Sequence, residues 1–176
     1  MDEIKNTIIN GITPTGNVNI KVLRGDKVIR KINGHNTGTL ELCRYLRDAL
    51  AGDHVVAYRP GRIVPCVKQG SDLVDIFTYG VQYLPESMVH RGDDPDNNSA
   101  WLDMGFIIPN TLLSVGQKIS GFRLYRNILA NDGSLVKYAE IDFDKQEPPI
   151  EPIEIINDKV SIRVDWRIKI SIISGE

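Results

Sequence analysis

From Val160 to Ile172 the apolar residues fall on every second position: Val160, Ile162, Val164, Trp166, Ile168, Ile170 and Ile172. Ser161, Arg163, Asp165, Arg167, Lys169 and Ser171 stand between them. A period of two requires an extended chain with one face buried and the other toward water. At about 3.3 Å per residue this strand runs roughly 40 Å, about twice the usual globular strand. A strand of that length suits a large sandwich or an assembled subunit better than a compact enzyme pocket. Trp166, at its middle, is the expected core anchor.

The rest of the chain reads mainly as β. Val18 to Leu23 and Val28 to Ile32 are short strands, joined by a tight turn at Arg24-Gly25-Asp26-Lys27, where glycine tolerates positive φ. Further strands are expected over Arg62–Val67, Leu73–Leu84, Trp101–Ile108, Lys118–Asn127 and Leu135–Phe143, with turn residues between them. One helix is expected over about residues 39–51. Thr37 or Thr39 can cap it, and Gly52 stops it. Leu42, Cys43, Leu46, Ala49 and Leu50 share one arc, so Leu42, Leu46 and Leu50 should dock the helix on a sheet and Cys43 should be a small buried hydrophobe. The segment Glu147-Pro148-Pro149-Ile150-Glu151-Pro152 is stiff and should carry the chain across one end of the fold. Residues 1–17 read as an extended arm or short edge element with Ile4, Ile8 and Ile12 spaced along it. The fold class is thus an antiparallel β-sandwich or barrel with one short helix, a single domain over 18–176, and an N-terminal arm.

A length of 176 residues supports one domain with a real core. A net charge of −2 gives no global attraction to nucleic acid or an anionic membrane. No apolar run is long enough to span a bilayer. The start, MDEIKNTIING, is acidic and lacks the plan of a signal peptide, so synthesis in a cytoplasm without export by that route is expected. Cys43 and Cys66 cannot build a disulfide framework.

No constellation argues positively for catalysis, a cofactor or a metal. Arg163, Arg167 and Lys169 form a basic row on the polar face of the last strand, but no stacking aromatic shares that face, as a nucleic-acid groove would require. Glu140, Asp142 and Asp144 repeat with the same period, and antiparallel pairing of the two strands would set acid beside base. Asp93-Asp94-Pro95-Asp96-Asn97-Asn98, within the polar loop Arg91–Ser99, concentrates oxygen ligands without the EF-hand pattern. It is read as a turn-rich loop, and as the first place to look for a metal or a carboxylate hydrolase site. Arg24-Gly25-Asp26 and Arg91-Gly92-Asp93 are ordinary turn sequences. His35, His54 and His90 lack metal-ligand spacing, and His35-Asn36 suits a strand-to-helix corner. Tyr79, Tyr83, Trp101, Tyr125 and Tyr138 could line a glycan-binding surface, although aromatics on β domains more often pack inside.

The order of these features resembles small virion proteins of tailed bacteriophages, the class built into fibres, collars and tail attachments. The resemblance rests on the hairpin NIKVLRGDKVIRKI, the corner His35-Asn36-Thr37-Gly38-Thr39 before a helix ending LRDALAG, the β region ISGFRLYRNILANDGSLVKYAEIDF and the terminal strand VSIRVDWRIKISI. It spans about residues 18–173. It implies a non-enzymatic head or tail adaptor or fibre-base subunit, made in the host cytoplasm and located in the virion. Such a subunit binds other virion proteins and forms a homo-oligomer, a trimer or ring. It carries no catalytic, cofactor or metal residues to this chain, and neither nucleic acid nor membrane is an expected partner. Contact residues are then expected at Ile4, Ile8, Ile12, Arg163, Arg167 and Lys169. The alternative is a host-surface glycan-binding module.

Overall fold

The computed structural model describes residues 9–50, 59–77, 81–82, 89–94 and 99–174. The strands are β1 (Ile9–Arg24), β2 (Lys27–Gly38), β3 (Pro60–Gln69), β4 (Asp72–Asp75), β5 (Val81–Gln82), β6 (Val89–Asp94), β7 (Ser99–Ile108), β8 (Lys118–Ile119), β9 (Gly121–Arg126), β10 (Lys137–Asp142), β11 (Ile153–Glu154) and β12 (Val160–Ser174). The helix α1 covers Leu40–Leu50. Short 3-10 turns cover Asn110–Leu112 and Phe143–Lys145. Among the described residues no helix is long and apolar enough to cross a membrane.

All strand pairs are antiparallel. The main sheet runs β4-β3-β9-β10-β2-β1-β12-β7-β6, with β5 beside β3, and β11 pairs β8 separately. The sheet is open, not a closed barrel, since β4 and β6 end it. It has a larger part, β2-β1-β12-β7-β6, and a smaller part, β4-β3-β9-β10. The two meet at a short joint where Glu140 and Ala139 of β10 pair Thr37 and Gly38 of β2. The inner faces of both parts contribute to one core, which makes the fold sandwich-like. Val18, Ile20, Phe106, Val164 and Trp166 come from the larger part, and Ile63, Phe122, Leu124 and Ile141 from the smaller.

β12 holds the centre of the larger part. Val160, Ile162, Val164, Trp166 and Ile168 form its inner row, all buried. Val164 and Trp166 stand opposite Ile20 and Val18 of β1 on one side, and opposite Phe106 and Met104 of β7 on the other. The 15-residue strand, roughly 50 Å at 3.3 Å per residue, exceeds the expected span by continuing to Ser174. Trp166 is fully buried, and its Nε1 finds no acceptor among the described residues.

Several expectations change. Residues 9–17 are the first half of β1, a 16-residue strand, with Ile9 opposite Ser174 and Ile12 opposite Ile172. Residues 9–17 are thus not an arm, and residues 1–8, with Ile4 and Ile8, lie outside the described residues. Asn10, Gly11 and Pro14 break the apolar alternation there, and the long partner β12 overrides that local signal. Leu73–Leu84 is not one strand: β4 ends at Asp75 and β5 covers only Val81 and Gln82. Arg91 to Asp94, expected in a loop, belong to β6.

The helix matches its expected bounds to within a residue. Thr39 caps it, accepting from the Leu42 N–H at its Oγ1 (3.4 Å) and from the Cys43 N–H at its carbonyl (3.2 Å). The Thr39 hydroxyl also donates to the Lys137 carbonyl (2.8 Å), which ties the helix to β10. Leu42 is buried and Leu46 partly so, as expected, while the docking expected of the Leu50 side chain lies outside what the structure describes. Cys43 is exposed, contrary to expectation. The buried stripe is Leu42, Tyr45 and Leu46, with Tyr45 stacked on Tyr138 at 5.8 Å. Cys43, about 100° round the helix from Leu42, falls off that stripe. The proline-rich segment crosses as expected, pinned where the Arg30 guanidinium donates to the carbonyls of Glu151 (2.8 Å) and Pro152 (2.9 Å).

Trp166→Ala should cost about 3–5 kcal/mol of stability, the range for truncating a large core aromatic. Urea unfolding checks this, and an unchanged midpoint would contradict the packing described for β12.

Candidate functional site

The outer face of the larger part carries the residues between the apolar positions. Cross-strand register puts His90 of β6 opposite Asp103 of β7, Asp103 opposite Arg167 of β12, and His35 of β2 opposite Asn17 of β1. In the adjoining row Asn19 stands opposite both Asn33 and Asp165. Because the inner positions of these strands are locked by the core, the outer side chains keep fixed places.

Arg167 donates from Nε and Nη2 to the two carboxylate oxygens of Asp103, each at 2.6 Å. This fork is the strong, oriented form of an arginine–carboxylate pair. Hydrogen bonding to Asp103 raises the Arg167 pKa further above its ordinary value. The guanidinium also lies 4.3 Å from the centre of the Trp101 ring, so an aromatic from the neighbouring strand β7 does share the face of the basic row, contrary to expectation. Trp101 reaches over Gly92, where an added Cβ would come within 2.5 Å of the ring. Arg163 donates to Asp165 (2.9 Å), and Lys21 pairs with the same carboxylate at 3.6 Å. Asn19 donates to Asn33 through Nδ2 (2.8 Å), while its buried Oδ1 has no donor among the described residues. Between these groups lies a polar groove of about 390 Å³, lined by Asn17, Asn19, Asn33, His35, Asp103, Asp165 and Arg167.

A second concavity is apolar. It measures about 290 Å³ and lies between α1 and the ends of β7 and β12, against Leu42, Tyr45, Leu46, Met104 and Ile168.

The outer face of the smaller part holds an ionic network instead. Arg123 donates to Asp75 (3.1 Å), to Glu140 (3.2 Å) and to the Leu73 carbonyl (2.7 Å). Tyr125 donates its hydroxyl to Asp75, and the Cys66 thiol lies 3.3 Å from the same carboxylate. Burial, then the neighbouring Asp75, pushes the Cys66 thiol well above its ordinary range, so it is not poised as a thiolate. Lys68 bridges Asp142 (2.9 Å) and Asp144 (3.2 Å).

The acidic row of Glu140, Asp142 and Asp144 therefore does not face β12. β10 pairs β9 and β2, so its acids meet Arg123, Lys137 and Lys68, while the basic row of β12 meets Asp103 and Asp165. Opposite charges do pair across strands, but on different strands from those expected. Of the expected contact residues, Arg163 and Arg167 lie on this outer face beside Lys169 on β12, and Ile12 sits within β1. The expected aromatic surface does not assemble among the described residues. Tyr125 and Tyr138 are buried, Trp101 packs against Arg167 and Gly92, and Tyr79 and Tyr83 lie outside the described residues. In the polar loop, Asp93 is exposed on β6, and residues 95–98 lie outside the described residues. Among the described residues no group of three or more His, Cys, Asp or Glu side chains is placed to hold a metal ion.

Sequence alone does not single out Asn17, Asn19, Asn33 and Asp103. The signal it holds is their alternation with Val18, Ile20, Ile32 and Met104, which marks them as neighbours on one sheet face. No protein-family model, curated protein or solved structure matches the chain.

Glu140 supplies a pH test of the network. Burial alone would raise its carboxyl, but the hydrogen bonds and charges of Lys137 and Arg123 outweigh that and hold it below the usual 4.5. A carboxyl that ionises more readily folded than unfolded stabilises the protein above the unfolded value, and that contribution is lost as pH falls through the folded value. Glu140→Gln should therefore lower stability at neutral pH and shrink the loss between about pH 5 and pH 3. Urea midpoints across that window check it, and equal slopes for both proteins would contradict it.

Proposed function

We propose that the chain is a non-enzymatic structural and assembly protein of a bacteriophage virion, an adaptor or fibre-base subunit of the head or tail. It works as a homo-oligomer, a trimer or ring, and contacts other virion proteins. The observation that supports this reading best is the pairing of Ile9 with Ser174 at one end of the long β1–β12 ladder. It fixes the attachment point of residues 1–8, with Ile4 and Ile8, at the end of a stiff slab roughly 50 Å long. A short polar segment with spaced isoleucines, anchored on such a slab, can bury those isoleucines against a neighbour at a small ordering cost. The core supports the slab on one face, and cross-strand ion pairs hold the charges of the other.

Because β1 begins at Ile9, removing residues 1–8 spares the ladder, whereas removing residues 1–17 cuts half of β1 away from β12. The shorter truncation should keep the unfolding midpoint and reduce the oligomer to monomer. The longer one should lose the folded state. Light scattering with urea unfolding separates these outcomes. A full-length monomer at micromolar concentration, or an oligomer unchanged by loss of residues 1–8, would contradict the assembly role given to that segment.

A further inference from the structure

We infer that the polar groove across β2, β1, β12 and β7 binds a neutral saccharide. The assignment does not rest on the assembly role and holds equally for a monomer.

The charges bordering the groove already satisfy one another. Arg167 is forked onto Asp103, and Asp165 is held by Arg163 and Lys21. An ionic ligand would have to break those pairs, whereas an uncharged polar ligand would not. Beside the ion pairs stand the amides of Asn17, Asn19 and Asn33, each carrying an acceptor and a two-hydrogen donor side by side. Hydroxyl groups both donate and accept, so adjacent ring hydroxyls match such side chains. Asn17 and Asn33 are exposed, so their amides are within reach of a ligand hydroxyl in the groove.

The groove has the size of a small-molecule site, about 390 Å³ against roughly 300–1,000 Å³ for such sites. Its position argues against a peptide. β1 is hydrogen-bonded by β2 on one side and β12 on the other, so no strand edge is available for a peptide backbone to extend. Apart from Val18 and Gly34, the lining side chains are amide, carboxylate, guanidinium and imidazole groups, which favour a ligand rich in hydroxyls over an apolar peptide side chain.

The test is an array of neutral hexose and N-acetylhexosamine oligosaccharides, with sialylated and sulfated ones beside them, probed with the full chain. Calorimetry then follows on the strongest neutral binder. Asn33→Ala and His35→Ala should each weaken binding tenfold or more with the unfolding midpoint unchanged, and Lys118→Ala, outside the groove, should bind as the unaltered protein does. His35 is exposed and its backbone alone is held by Gln146, so that variant keeps the test available if Asn33→Ala unfolds. Absence of binding at millimolar neutral saccharide, binding confined to charged saccharides, or full affinity in His35→Ala would overturn the assignment.

Discussion

The register of β12 between β1 and β7 is the constraint on which the other features depend. Trp166 stands opposite Val18 and Met104, and Val164 opposite Ile20 and Phe106. A slip of one residue against either neighbour would turn this buried row to water and bring Arg163, Asp165 and Arg167 into the core. Burying a single unpaired charge there would cost more than such a strand could recover elsewhere. The apolar row thus fixes the register, and the register in turn places Arg167 opposite Asp103 and Asn19 opposite Asp165.

The two outer faces handle charge differently. On the larger part the ion pairs are half-exposed and flank a groove, so their contribution lies in orientation more than in stability. On the smaller part Arg123 is shared among Asp75, Glu140 and a backbone carbonyl, over a surface where Val64 and Cys66 are fully buried. Losing one member of that network leaves its partners unpaired, which costs more than the pair itself contributes.

Much of the framework is legible because it is written in short-range periodicity. The alternation in β12, β7 and β9 and the capped amphipathic helix follow from side-chain direction alone. Partner choice does not. Nothing local tells Glu140 that its strand pairs β9 and β2 instead of β12, or tells Asn10 to Pro14 that a long neighbour will hold them extended. β6 is hidden for a related reason: Arg91-Gly92-Asp93-Asp94 has turn composition, and Gly92 is the space that the Trp101 ring fills. In the groove, Arg167 can be read as an outer-face residue from its own strand, whereas Asn17, Asn33 and Asp103 become its neighbours only once four strands are in register.

Native-state hydrogen exchange tests the central place of β12 most directly, because the slowest amides report the last structure to open. The slowest amides should be those of Ile162–Ile168 on β12 and the facing residues Val18–Val22 on β1, exchanging only through global unfolding. Slowest exchange in β3 and β9, with β12 opening first, would contradict a fold organised around that strand.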